Sequence, residues 1–169
     1  MKKIILFSML LLSIGAFAKP YHHSLGFSAG SFNGLSWKVL VKEHFAVQTD
    51  VGAHLTVFDY SYGAFVINPN FLYQGTMFTN DVLDIDFNAG GGLSFGFVGP
   101  FGYNSRYNEG VFCGDFGFNA LVGVEFAFNR SPLALSFDFR PGYGMGFDYK
   151  DAVHNFFDWG VQIGLRFYL

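Results

Sequence analysis

A chain of 169 residues has room for one domain, and this one carries 24 Phe, nine Tyr, two Trp and 22 Gly. Only 14% of residues are charged, against roughly 25% in ordinary soluble domains. The formal net charge of −3, with no basic cluster to neutralise phosphates, argues against nucleic acid as a partner.

The N-terminus has the form of a secretory signal peptide spanning residues 1–18. Lys2 and Lys3 precede an apolar run from Ile4 to Phe17, and Ala16-Phe17-Ala18 fits a small-x-small cleavage site. Removal of Lys2 and Lys3 leaves eight basic residues against 13 acidic ones, a net charge of −5. Cys113 is the lone cysteine. It lies far from the signal, which argues against a lipoprotein anchor, and it leaves no partner for an intrachain disulfide. No later segment has the 18 or so apolar residues of a membrane helix.

Eight alternating segments follow. The first runs from Leu25 to Phe32, and Asn33-Gly34 reads as a two-residue hairpin turn because both central positions need φ > 0. The second, Leu35 to Lys42, sets Leu35, Trp37, Val39 and Val41 on one face, and a short turn at 42–45 follows. In the third, Ala46 to Phe58, Val47, Val51, Leu55 and Val57 oppose Gln48, Asp50, His54 and Thr56. A Tyr-rich loop at 59–63 leads to the fourth, Ala64 to Gln74, where Pro69 removes a ladder donor and predicts a bulge or weak pairing.

Gly75 to Val82 is expected to turn the chain into the fifth segment, Leu83 to Val98, with Asp84, Asp86, Asn88 and Ser94 on its polar face. The longest loop, 99–112, precedes the sixth, Asp115 to Phe128. Asn129-Arg130-Ser131-Pro132 makes a tight turn into the seventh, Leu133 to about Gly144, and 145–155 loops into the eighth. That last stretch, Trp159 to Leu169, alternates without a break: Trp159, Val161, Ile163, Leu165, Phe167 and Leu169 against Gly160, Gln162, Gly164, Arg166 and Tyr168.

Eight strands of about ten residues with one alternating pattern predict an all-β fold, an eight-stranded antiparallel up-and-down transmembrane β-barrel over residues 19–169. With both termini periplasmic, the turns at 42–45, 75–82 and 129–132 lie inside, and the loops near 58–64, 98–112 and 145–156 outside. A water-soluble barrel of the lipocalin type shows the same alternation with its apolar face inward. Here the apolar set carries more Phe, Leu and Trp than an eight-stranded interior can hold. The opposite set mixes glycines with Asp, Asn and Arg, which suits a crowded lumen better than a strand surface in water.

The segments Asn33-Gly34-Leu35-Ser36-Trp37-Lys38, Asn68 to Gln74 and Pro132 to Gly144 resemble a family of small, uncharacterised outer-membrane barrels of Gram-negative bacteria, similar in architecture to OmpX and the OmpA transmembrane domain. The resemblance spans the mature chain and implies insertion by the barrel-assembly machinery, outer-membrane lipid as surroundings, and no reaction. Such chains usually end in an aromatic residue. This one ends in Leu169, with Phe167 on the same face as a substitute.

The residues able to carry chemistry are the inward charges: Lys38, Asp50, His54, Asp84, Asp86, Glu125, Asp138, Arg140 and Arg166. An eight-stranded lumen is too narrow for a water-filled pore, so these groups are expected to pack as a salt-bridge plug; a gated proton or ion path through a narrow channel is the alternative. Five acids against three bases leave two negative charges in excess, which places at least one of Asp84 and Asp86 at the lumen mouth or in protonated form. A lipid-modifying enzyme of the lipid A acyltransferase or deacylase type would need a base near the outer rim, with His54 and His154 as its candidates. Tyr60, Tyr62, Tyr103, Tyr107, Tyr143 and Tyr149 mark an interfacial aromatic girdle or a contact surface for an extracellular protein or glycan. The sequence implies no cofactor and no metal. The reading that follows is a non-enzymatic outer-membrane barrel with a closed polar lumen and a structural or surface-interaction role.

Overall fold

The computed structural model describes residues 22–54, 64–98, 113–147 and 153–169. The alternating segments become eight strands: β1 (His23–Gly30), β2 (Phe32–Lys42), β3 (Phe45–His54), β4 (Ala64–Thr79), β5 (Leu83–Val98), β6 (Cys113–Phe128), β7 (Leu133–Phe147) and β8 (Val153–Tyr168). Each pairs antiparallel with the next, and β1 pairs with β8 from Ser24↔Tyr168 to Gly30↔Gln162, which closes the sheet into a barrel. Closure leaves no strand edge with unpaired backbone groups.

The pleat sends the two residue sets to opposite faces. In β1, Ser24 and Ser28 are buried while Leu25 and Phe27 are exposed on the outside. In β8, Gln162 and Arg166 are buried, whereas Trp159, Val161, Ile163 and Leu165 stand outward. The apolar face is therefore the outer one. The interior is not uniformly polar. Ala46, Leu72 and Leu121 form a small buried cluster with Leu40 packed against it. The register explains this: Leu40↔Ala46, Ala46↔Leu72, Leu72↔Gly90 and Gly90↔Leu121 follow one another around the wall across the five strands β2 to β6, and Leu40, Ala46, Leu72 and Leu121 form one apolar ridge in an otherwise polar lumen.

The first hairpin differs from expectation. Asn33 and Gly34 lie inside β2, and the chain turns at Gly30-Ser31 instead, with Gly30 at φ +139°. The Asn33 side chain closes that turn, its Nδ2 donating to Gly30 O at 2.9 Å and its Oδ1 accepting from Gly30 N at 3.2 Å. Gly34 instead pairs with Gly52. A methyl group on either would lie 2.6 Å from the other's Cα, so the pair marks a close approach of two strands.

The expected turn at Gly75–Val82 is also shorter, because β4 runs on to Thr79 with a register shift between Thr76 and Phe78. The Phe87 ring covers Gly75, supplying the packing that glycine lacks. Further strand ends move outward: β7 reaches Phe147 and β8 starts at Val153.

Two prolines thin the wall. The β4–β5 ladder steps from Ile67↔Phe95 to Asn70↔Gly92 without the pairs between, and Pro69 lies in that gap in unchanged register. This is weak pairing, without a bulge. The β6–β7 ladder has the same break at Pro141, between Asn119↔Gly142 and Val122↔Phe139. Each proline keeps its pairing on its other side, Thr49↔Pro69 and Pro141↔Trp159.

Candidate functional site

In a ring of eight strands, β2 stands opposite β6 and β3 opposite β7. Two ion pairs cross the lumen along those diameters. Lys38 on β2 donates from Nζ to Glu125 Oε2 on β6 at 3.1 Å, and also to Asn88 Oδ1 at 3.0 Å. Arg140 on β7 donates from Nη1 to Asp50 Oδ2 on β3 at 2.5 Å.

Glu125 is the better served carboxylate. Besides Lys38, it has Arg166 Nε 3.3 Å from Oε2, and it accepts a hydrogen bond from the Tyr168 hydroxyl at Oε1. Arg166 spends its Nη1 on Ser36 Oγ at 2.9 Å. Asp50 is fully buried and receives Gln48 Nε2 at 3.1 Å and 3.2 Å as well as Arg140. Asp138 Oδ2 lies 3.6 Å from Arg140 Nη2 and accepts from Gln162 Nε2 at 3.3 Å. Each charge in these two groups thus faces an opposite one, the condition under which burial of ions is tolerable.

Asp84 and Asp86 both accept hydrogen bonds from neutral side chains. Asp86 accepts from Gln74 Nε2 at 3.0 Å and Thr76 Oγ1 at 2.6 Å. Asp84 accepts from Thr79 Oγ1 at 2.5 Å and Asn129 Nδ2 at 3.0 Å, beside the turns that join β4 to β5 and β6 to β7, so it sits at one mouth of the barrel.

The structure therefore brings Lys38, Glu125 and Arg166 together, and Asp50, Asp138 and Arg140 together, with Asp84 and Asp86 apart from both. Tyr168 belongs to the first group, although alternation marked it only as a polar-face residue. Asp115 is a further inward carboxylate outside the expected set, lying where a side chain on Gly96 would otherwise go. Its place at the start of a strand hid it, because alternation is hardest to phase at a strand end. His54 pairs with Phe32 and Ala64, and His154 with Gly146, in backbone register; both imidazoles fall outside the described residues. So do Tyr60, Tyr62, Tyr103, Tyr107 and Tyr149, and the whole of 1–18. Tyr143 is described and points outward from β7.

Beyond the Arg140–Asp50 pair the lumen holds a cavity of about 70 Å³, lined by Phe32, Asn68, Ser94, Asn119, Arg140 and Gln162 among others. Several buried polar atoms of these residues lack a hydrogen-bond partner: Asn68 Oδ1, Asn119 Oδ1, and Arg140 Nε and Nη2. Among the described residues no cluster of His, Cys, Asp and Glu is placed to hold a metal ion.

The chain matches no family model, and comparison with curated proteins and with solved structures returns no match.

Proposed function

We propose that this barrel spans an outer membrane after Sec-type export, with its apolar face in lipid and its braced lumen closed to the passage of solutes, and that its role is structural or surface-interactive rather than catalytic. The observation that carries this reading is the outer face itself. Phe27 and Phe118 are exposed by 63% and 62%, and large apolar residues stand outward on every one of the eight strands. In water each such side chain would forgo roughly 1.5–3 kcal/mol of burial. A patch wrapped around a whole barrel exceeds what soluble monomers leave open. In lipid the same surface costs nothing, and outside the two proline gaps the closed ladder satisfies the backbone of the strands.

Supporting features agree with that orientation. Seven of the eight strands, at 10 to 16 residues, meet the roughly 9–11 that a tilted membrane strand requires, and β1 has 8. His44, Phe45, Phe71, Tyr73 and Phe87 pack ring against ring near the β2–β3 turn, as a membrane-interface girdle would. The resemblance of Asn33–Lys38, Asn68–Gln74 and Pro132–Gly144 to small outer-membrane barrels points the same way. On this reading the barrel-assembly machinery is a partner during insertion, and an extracellular protein or glycan is a candidate for the loops.

The two tryptophans make the test direct, because Trp37 and Trp159 both face outward, 51% and 55% exposed. Refolded into vesicles with brominated acyl chains, the protein should show strong quenching of both, with little quenching by aqueous iodide. Iodide quenching with no effect of bromine would sink the membrane reading.

A further inference from the structure

We infer that the cavity beside Arg140 is a binding site for a small carboxylate with a hydrogen-bond donor on the neighbouring carbon, a 2-hydroxy or 2-amino acid. The argument starts from the guanidinium. Its Nη1 is committed to Asp50, which fixes the plane of the group. The remaining edge, Nε and Nη2, is the side-on fork that takes two oxygens of one carboxylate in parallel. Both nitrogens on that edge lack a hydrogen-bond partner, although the side chain is only 9% exposed. Asp138 comes nearest, but 3.6 Å is too long for a hydrogen bond, and Gln162 holds that same oxygen from its other side.

Three features of the cavity define the ligand. Among the described residues Arg140 is the one charged side chain in its lining, and it offers a place for an anion. Asn119 donates its Nδ2 to Leu93 O at 3.2 Å, which orients the amide and leaves Oδ1 as an acceptor without a donor; Asn68 Oδ1 is likewise unpartnered. A ligand that meets both needs carries a carboxylate for the fork and a hydroxyl or ammonium for the amides. The volume of about 70 Å³ has room for roughly five water-sized groups, which is the scale of a two-carbon hydroxy acid. Asp50 and Asp138 behind the guanidinium limit the charge the site accepts, favouring a singly charged acid over a dianion.

The same guanidinium therefore does two jobs. One end braces the wall, and the other presents a preorganised fork to the cavity. That preorganisation matters, because an arginine already fixed by a partner has little rotamer freedom left to lose on binding.

Nitrogen-15-labelled full-length protein, folded in detergent, would be titrated with sodium glycolate while the Arg140 Nε–H resonance is followed, with sodium chloride at equal ionic strength as the control. Glycolate should shift that resonance saturably and chloride should not. Ser94→Leu, which fills the cavity without touching the Arg140–Asp50 pair, should abolish the saturable shift. Asn119→Asp, which adds a negative charge to the lining, should do the same in a fold that keeps its native gel mobility. An unmoved resonance, a shift matched by chloride, or saturation retained in both variants would overturn the inference.

Discussion

The two crossbars of the lumen are built to different degrees of completion. At Glu125 a single carboxylate takes Lys38, Arg166 and Tyr168, drawn from β2 and β8. At Arg140 a single guanidinium makes one short bond to Asp50 and leaves an edge without a hydrogen bond beside a cavity, with Asp138 at ionic distance. The first carboxylate is crowded by cations and a hydroxyl, although Arg166 Nε beside it makes an ionic contact without a hydrogen bond; the second crossbar opens onto space. A buried polar group that is fully engaged holds a structure together, whereas one left partly engaged keeps recognition capacity in reserve. The same sheet thus offers a brace at one level and a receptor at another.

Breaking the crowded crossbar should cost most. Glu125→Ala removes the shared acceptor of two buried cations and should lower unfolding free energy by about 3–5 kcal/mol, read from urea titration of the folded barrel in detergent. A loss under about 1 kcal/mol would mean that water reaches Lys38 and Arg166. At the other crossbar, Asp50→Asn should cost less, about 2–3 kcal/mol, since Asp138 is close enough to inherit Arg140. Equal losses at the two sites would erase the distinction between them. The finest probe is Tyr168→Phe, which deletes one hydroxyl donor from Glu125 while Lys38 and Arg166 remain. It should cost about 1.5 kcal/mol with unchanged native gel mobility.

Alternation made much of this legible. Trp159 to Leu169 announces its two faces residue by residue, and Leu83 to Val98 matches β5 end to end. Pro69 signalled its gap because a residue without an N–H cannot complete a ladder on both sides. Pro141 makes the same break, although in the sequence only its neighbour Arg140 stood out, as an inward charge. Local turn chemistry misled at Asn33-Gly34. That dipeptide favours a hairpin, but here the Asn33 side chain caps a turn three residues earlier, while Gly34 is needed opposite Gly52.

Gly75 misled in the same way, since the ring that covers it comes from Phe87 on the next strand. The inward charges were visible singly, but who pairs with whom was not. Lys38 meets Glu125 because eight strands close at a particular stagger, and no local pattern encodes that. The cavity was invisible for the same reason, being space left by side chains from six strands.

Glu125 also carries a consequence for the order of events in folding. Its partners Arg166 and Tyr168 lie on β8, which closes the barrel against β1, and Lys38 lies on β2. The carboxylate on β6 cannot complete its coordination until the last strand has docked against the first. A chain stalled one strand short therefore strands a charge in a half-formed interior, which raises the free energy of the incomplete barrel relative to the closed one. Long loop closures of this kind are slow. Tying the ionic hub to the closing strand thus favours the closed barrel over partly assembled forms.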